Sequence, residues 1–566
     1  MPMTVDVERE PSAGAEPNRV PPGESDAEAA ARESLEDYTL RFAPRSFRRW
    51  SAGVVATSAL GGIAYLADFS IGASIGVGYG TPSALLGIVI AAVVIFVTGF
   101  PLAYYAARFN IDLDLITRGS GFGYYGSILT NLVFASFTFI FFATEGAIMA
   151  QGLEVGLGIP RWLGYLITTV FVIPLVIFGM RALSKMQAWT TPFWLVLMVV
   201  PLAYLVISQP QTVQNFFDYA GADGSGSELS LASAMLAAGV CLSLIAQIAE
   251  QIDYLRFMPP RTDANRRSWW AAVVIAGPGW VVFGALKQII GLFLGVYLIA
   301  SLGAAPSTAT EPVQQFLGVY REMMPAWLAM LLAVVLVVIS QIKINVTNAY
   351  SGSLAWTNSF TRVTKRYPGR LVFVLFNLAI ALALMEFNMF EVLNLILGFY
   401  ANCAMAWIVT VATDIVVNKH LLGLSPKHPE FRRGMLYAVN PVGVLSVLLS
   451  AGASIAMFFG AFGSGVQPYS PIFAVGIALV ATPLMALLTR GKYYLRRRDD
   501  GIDLPMLDAD GNPSAERLRC HVSGLEFERP DMLLSAEPAP DGSPQYISSL
   551  ALATDRSGRY VLPAQP

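Results

Sequence analysis

Runs of apolar residues, each long enough to cross a lipid bilayer as a helix, recur along most of this 566-residue chain. A bilayer core of about 30 Å needs about 20 such residues per helix. Charged residues make up about 25% of an ordinary soluble domain. Here they are only 13% of the sequence, and the mean hydropathy is +0.56. The sequence therefore predicts an all-α polytopic membrane protein.

The apolar runs define about twelve transmembrane segments, numbered below in chain order. They lie at about 50–78, 83–107, 127–155, 161–180, 189–208, 231–250, 269–300, 325–345, 371–390, 391–417, 437–459 and 470–490. Segments 9 and 10 nearly merge into one helix. The polar sequence Glu386-Phe387-Asn388 between them predicts a tight external turn.

The positive charges of the connections give the expected orientation. Lys and Arg concentrate in alternate connections, within residues 41–49, 108–118, 181–185, 256–267, 362–370, 419–433 and 490–498. The remaining connections contain Arg161 and Arg321. Because cytoplasmic loops carry the excess of Lys and Arg, this alternation predicts an even number of spans. We expect a multi-pass protein of the cell (inner) membrane with both termini in the cytoplasm.

Polar regions flank the apolar part of the chain. Residues 1–46 are rich in Glu, Asp, Pro, Ala and Gly, without a signal peptide, and predict a disordered cytoplasmic tail. Residues 47–498 form the predicted twelve-helix domain. Residues 499–566 predict a cytoplasmic tail or a very small domain. Around Cys520 and His521 they resemble a zinc ribbon in which Ser523 replaces the second cysteine, so no metal is expected.

Several function classes lack support in the sequence. The net charge of −2 gives no basic excess for binding nucleic acid. The three cysteines, Cys241, Cys403 and Cys520, are too scattered for a metal cluster or a disulfide framework. No phosphate-binding loop, nucleophile elbow or paired histidine ligands occur. We therefore expect neither an enzyme nor a cofactor.

Ionisable residues within the apolar segments are the first candidates for function, because a charge in the bilayer core is costly. Glu145 in segment 3 and Lys343 in segment 8 are flanked by long apolar stretches. Each therefore needs a buried partner or an aqueous cavity. Asp68, Asp253 and Lys287 are interpreted as residues near segment ends that reach the membrane interface.

Small residues in segment 1 allow two interpretations. Gly61, Gly62 and Gly72 either permit close helix packing or mark a helix broken near the middle of the membrane. In the second case, segment 6, which contains Gln247 and Glu250, is the expected counterpart five segments later. Unpaired backbone groups at such breaks bind substrates or ions in transporters.

Four stretches together resemble the nucleobase–cation symporter family, of the purine–cytosine permease and allantoin/hydantoin transporter type. They are Thr117-Arg-Gly-Ser-Gly-Phe-Gly-Tyr-Tyr-Gly126, Glu250-Gln-Ile-Asp-Tyr-Leu-Arg-Phe257, Asn345-Val-Thr-Asn-Ala-Tyr-Ser351 and Val411-Ala-Thr-Asp-Ile-Val-Val417. They occur in the family's order and on the corresponding segments. The resemblance implies a core of five plus five helices related by an inverted repeat, with two additional C-terminal helices.

The resemblance also implies site residues. Phe141 matches an aromatic position of the family, and Glu145, one helical turn later, matches a polar substrate contact. Asn348 matches the family's substrate-binding asparagine. Lys343 lies where sodium-coupled members have an ion ligand. An ammonium repels sodium, so Lys343 is not expected to be a sodium ligand. We expect it either to act as a surrogate cation that donates to the backbone carbonyls of segment 1, or to carry protons. The alternative is that Lys343 forms a structural ion pair with Glu145 or Asp68.

The sequence thus predicts a secondary active transporter for a small polar solute such as a nucleobase or related heterocycle, sodium-independent or proton-coupled. The expected substrate contacts are Phe141, Glu145, Gln247, Glu250 and Asn348. The expected partners are this solute and the lipid bilayer. The alternative is a membrane receptor that keeps the transporter fold and binds a solute without transporting it.

Overall fold

The computed structural model describes residues 40–45, 48, 50–177, 179–222, 228–366, 368–387, 392–498, 514, 516–556 and 562. Each predicted segment corresponds to helical structure in this part of the chain. In order, the helices are Ala52–Gly62 with Ala67–Tyr79, Thr81–Phe109, Ser127–Leu157, Arg161–Ile177, Gly179–Ser208, Leu231–Leu242 with Ser243–Ala246 and Gln247–Leu255, Arg266–Ala276 with Trp280–Leu302, Ala326–Thr364, Arg370–Glu386, Leu393–Thr413, Pro441–Phe458 and Ser470–Leu488.

Shorter helical elements lie in the connections. They are Leu113–Thr117, Arg118–Phe122, Gln211–Phe217, Pro306–Ala309, Pro312–Met323, Asp414–Leu421, Ser464–Tyr469, Arg529–Asp531 and Ser549–Thr554. The predicted turn between segments 9 and 10 lies partly outside the described residues, since Asn388 is not among them.

Most segments are long and apolar enough to cross a bilayer. Within the described residues nine helices meet this condition, and the two halves of segment 1 meet it together. Segments 4 and 9 are shorter, with 17 residues each, a length of about 25 Å at about 1.5 Å per residue. The protein is therefore an all-α polytopic membrane protein, as the sequence predicted.

The packing of the segments repeats after five. The second half of segment 1 packs on segment 7, and the first half of segment 6 packs on segment 2. Segment 3 packs on segment 4, as segment 8 packs on segment 9, and segments 3 and 8 also pack on each other. Segments 11 and 12 pack together and against segment 10. This pattern agrees with the expected inverted repeat followed by two C-terminal helices.

A small β unit follows segment 12. Strands β1 (Arg517–Arg519) and β2 (Glu526–Glu528) form one antiparallel pair, and β3 (Met532–Leu534) and β4 (Tyr546–Ser548) form another. Their buried side chains share a core with Met435 from the connection between segments 10 and 11. Of the N-terminal tail expected at residues 1–46, the structure describes residues 40–45, and residues 40–44 are buried.

Candidate substrate site

Segment 1 is interrupted near its middle. Its first half ends at Gly62, its second half begins at Ala67, and the two axes differ by 49°. Residues 63–66 therefore leave backbone groups without the partners that a continuous helix provides. Gly61 and Gly62 lie in the last turn before this break, which agrees with the broken-helix interpretation.

The ammonium of Lys287, on segment 7, lies at this break. Nζ donates to the carbonyl oxygens of Ile63 at 2.6 Å and Tyr65 at 3.1 Å. It also forms an ion pair with Asp68 Oδ2 at 2.9 Å. The expectation that Asp68 and Lys287 reach the membrane interface is therefore wrong, since both side chains are buried inside the bundle. Each charge neutralises the other, and loss of either partner would leave an uncompensated buried charge.

Close backbone packing brings segment 7 to the break. A Cβ atom at Gly72 would lie 1.8 Å from the carbonyl oxygen of Gln288, and one at Gly291 would lie 2.2 Å from that of Phe69. Only glycine fits at such an approach. Gly72 therefore serves close packing in the second half of segment 1 and does not form the break, which corrects the broken-helix assignment for this residue.

Glu145 on segment 3 reaches the other side of the break. Its Oε2 accepts a hydrogen bond from the backbone N–H of Ala67 at 3.3 Å. Ala67 begins the second half of segment 1, and the positive end of a helix favours a carboxylate there. Glu145 is 1% exposed, and its Oε1 has no hydrogen-bond partner among the described residues.

Segment 6 is not broken in this way, because Leu231–Leu255 runs as one span, which differs from the broken counterpart expected there. One turn of 3₁₀ helix, Ser243–Ala246, lies between its two α-helical halves. Gln247 begins the second half and donates from its amide to Glu250 Oε2. Glu250 is fully buried, and its Oε1 lacks a partner within the described residues. Tyr65 interacts electrostatically with Asp68, Glu145 and Glu250, so segments 1, 3 and 6 each bring a carboxyl group to this region.

A polar stripe on segment 8 completes this region. Gln341, Asn345, Asn348 and Ser351 follow the spacing of one helix face. Both amide atoms of Gln341 lack hydrogen-bond partners among the described residues, and the Ser351 hydroxyl donates to Asp253 Oδ2 at 2.5 Å. Between these ends, the amide nitrogen and oxygen of both Asn345 and Asn348 have no partners in the described part of the chain. The expected contact Asn348 thus lies on a buried stripe with unused donors and acceptors.

Lys343 lies in a different place from the one expected. Its Nζ donates to Thr191 Oγ1 on segment 5 at 2.8 Å and lies 5.9 Å from the ring centroid of Trp194. The hypothesis that Lys343 donates to the carbonyls of segment 1 is therefore wrong, because Lys287 occupies that position. Lys343 was chosen because it lies five residues before Asn348, where the related family has an ion ligand. This spacing along segment 8 could not show that segment 7 also approaches the break and brings Lys287 there.

Phe141 belongs to an aromatic row between segments 3 and 10. Its ring centroid lies 4.5 Å from that of Phe137. The Phe137 centroid lies 6.2 Å from that of Tyr400, and Phe134 and Trp407 have the same separation. Sequence reasoning missed Tyr400 and Trp407, which carry no polar motif; only the pairing of segments 3 and 10 shows their proximity to Phe141.

A small, partly open pocket lies along the same row toward the predicted cytoplasmic side. Its lining includes Phe134, Trp407, Asp112, Asp114 and Asp253.

Buried ion pairs surround this pocket. Asp114 forms ion pairs with Arg118 at 2.7 Å and with Arg362 at 3.0 Å. Arg256 lies 3.4 Å from Asp112 and 3.7 Å from Asp253. These pairs join the connection between segments 2 and 3 to the ends of segments 6 and 8.

No protein-family model and no curated protein matches the sequence. Solved structures do match. Mhp1, described as a nucleobase-cation-symport-1 family transporter in a closed conformation with bromovinylhydantoin bound, gives a TM-score of 0.59 at 17% identity, covering 82% of this chain and 100% of the other. Inward-facing Mhp1 gives 0.57 at 17% identity, covering 83% and 99% of the two chains.

A Na⁺-coupled sialic acid symporter in a substrate-bound, outward-open state gives a TM-score of 0.52 at 13% identity, covering 82% of this chain and 94% of the symporter. These similar structures are transporters rather than enzymes. The likeness to Mhp1 supports the resemblance seen in the sequence motifs, and this chain has the fold of that nucleobase-cation-symport-1 family transporter.

Proposed function

We propose that this protein is a secondary active transporter that moves a small polar solute, such as a nucleobase or related heterocycle, by alternating access. The observation that carries the proposal is the set of buried polar atoms on Glu145, Glu250, Asn345 and Asn348 that have no partners among the described residues, near the break of segment 1. Buried polar groups normally have hydrogen-bond partners. A bound solute would supply the missing ones.

The same atoms indicate what the solute presents. Glu145 Oε1 and Glu250 Oε1 accept hydrogen bonds, whereas each asparagine amide both donates and accepts. Asp68 is neutralised by Lys287, so Glu145 and Glu250 remain the acidic groups to be satisfied. A planar heterocycle with several N–H groups fits this pattern. Phe141 offers an aromatic surface one turn from Glu145.

We propose that transport is sodium-independent or coupled to protons. The test is uptake into proteoliposomes of labelled cytosine, uracil, adenine, hypoxanthine, allantoin, a hydantoin and a polyamine. Each solute is measured with a sodium gradient, without sodium, and with an inward proton gradient. Accumulation driven by protons in the absence of sodium supports the proposal. Accumulation that requires sodium contradicts the proposed coupling but not the transport function.

A second candidate function is that of a membrane receptor with the transporter fold. The observation that favours it is the β unit, which contacts the residues preceding segment 1 through an ion pair between Arg41 and Asp531. Such a unit is suited to sense a rearrangement of segment 1. Saturable binding of a solute from the panel, with no flux under any gradient, would favour the receptor over the transporter.

A further inference from the structure

We propose that Lys287 is a tethered cation that occupies a built-in cation site at the break of segment 1, so that this site binds no free sodium. The contacts of the Lys287 ammonium do not depend on what the protein transports. The inference that sodium does not drive transport through this site rests on the proposed transport function.

The oxygens around the ammonium are those of a cation site. Two backbone carbonyls, from Ile63 and Tyr65, and one carboxylate oxygen, from Asp68, lie between 2.6 and 3.1 Å from Nζ. Carbonyl and carboxylate oxygens are the ligands that hard cations take in proteins, and unwound helix carbonyls coordinate ions in transporters. A lysine ammonium has three N–H donors. Nζ donates to the two carbonyls and forms an ion pair with Asp68 Oδ2, so the three oxygens surround the ammonium.

The surroundings hold the ammonium in place. Gln288 donates to the other Asp68 oxygen at 2.8 Å, and the Tyr65 ring centroid lies 3.6 Å from Nζ, within the range of a cation–π contact. The close packing at Gly72 and Gly291 fixes segment 7 against segment 1. Lys287 is 3% exposed. Its charge therefore stays at the break, where a free ion would have to enter and leave.

In this arrangement, different residues of one region fill the cation site and contact the solute. Lys287 joins the halves of segment 1 and neutralises Asp68, which leaves Glu145 and Glu250 to a solute. A sodium gradient could not drive transport through an ion site that a side chain already fills. Removing the ammonium should therefore expose a site that accepts sodium.

The test measures sodium binding and needs no knowledge of the solute. Wild-type protein, Lys287→Met and Lys343→Met are purified, and each is titrated with sodium chloride against choline chloride at equal ionic strength. The readouts are the Tm and the binding of radioactive sodium. Lys343→Met is the matched control, because it removes another buried ammonium, which donates to Thr191 on segment 5. Lys287→Met/Asp68→Asn removes the carboxylate ligand as well.

We expect Lys287→Met to gain saturable sodium binding and a sodium-dependent rise in Tm that exceed those of wild type and of Lys343→Met. The double variant should lose this gain. Wild-type protein that shows the same sodium response, or folded Lys287→Met that shows no gain, would overturn the proposal. If Lys287→Met cannot be purified, Lys287→Gln must show the gain instead. This experiment measures no uptake. A negative result for sodium binding therefore does not contradict the proposed transport function, and a negative result in the uptake assay does not contradict the proposed role of Lys287.

Discussion

Arg41 and Asp531 form an ion pair at 3.0 Å in which both side chains are fully buried, although they are 490 residues apart in the chain. The pair joins the residues before segment 1 to the β unit at the other end of the sequence. The Arg41 guanidinium also lies 5.2 Å from the Phe527 ring centroid. Nearby, Glu528 forms an ion pair with Arg48 at 3.2 Å.

We predict that Arg41→Met destabilises the attachment of the β unit by about 3–5 kcal/mol, because it removes one partner of a fully buried ion pair. Arg41→Met/Asp531→Leu should recover most of this loss. Limited proteolysis within residues 516–556, together with the Tm, measures the effect. The control is Arg519→Met, whose pair with Glu526 is 59% exposed on the arginine side and should contribute about 0–1 kcal/mol. Equal protease sensitivity of the two single variants would contradict the prediction.

Gly72→Ala should destabilise the contact between segments 1 and 7, because the added methyl group would overlap the carbonyl oxygen of Gln288. Overpacking of this kind costs about 1–3 kcal/mol or more. A lowered Tm of the purified protein is the expected result. Gly78→Ala is the matched control on the same half-helix, since a Cβ there meets no atom within 4 Å. Similar Tm values for the two variants would show that the contact between segments 1 and 7 accommodates the methyl group without loss of stability.

Glu145→Gln should weaken binding of the transported solute by about 10- to 100-fold, corresponding to about 1–3 kcal/mol for a lost charge-assisted hydrogen bond. The amide keeps an acceptor for the Ala67 N–H but removes the charge. Glu154→Gln is the control, because this glutamate lies on the same helix and pairs with Arg161 at its exposed end. The measurement is the equilibrium affinity of Glu145→Gln and of Glu154→Gln for a solute identified in the uptake panel. Unchanged affinity in Glu145→Gln would remove this residue from the site.

Metal removal should leave the β unit intact. Among the described residues no group of three or more His, Cys, Asp and Glu side chains can hold a metal ion. Cys520 is buried, and its Sγ accepts a hydrogen bond from the Ser548 N–H at 3.3 Å. A chelator should therefore change neither the Tm nor the protease resistance of the unit. A rise in Tm on adding zinc would contradict this, and loss of that rise in Cys520→Ser would identify the ligand.

The sequence by itself determined the membrane class and the segment pattern. Apolar runs of bilayer length can be read without knowing what they pack against, since the lipid is the solvent for each helix separately. Glu145 likewise stood out as an ionisable residue within an apolar segment, and the resemblance to the symporter family indicated Asn348. The sequence left the position of the break in segment 1 undecided, because Gly61 and Gly72 look alike there. In the structure Gly61 lies in the last turn before the break, whereas Gly72 packs against Gln288 within the second half.

Only the tertiary structure decided which charged groups meet. Lys287 and Lys343 are both lysines within apolar segments, and the sequence favoured the wrong one for the site at segment 1. The choice depends on the approach of segment 7 to the break, a contact between residues more than 200 positions apart. The same holds for Arg41 and Asp531. A charge needs a partner when it is buried, but only the packing of distant segments determines which residue that partner is.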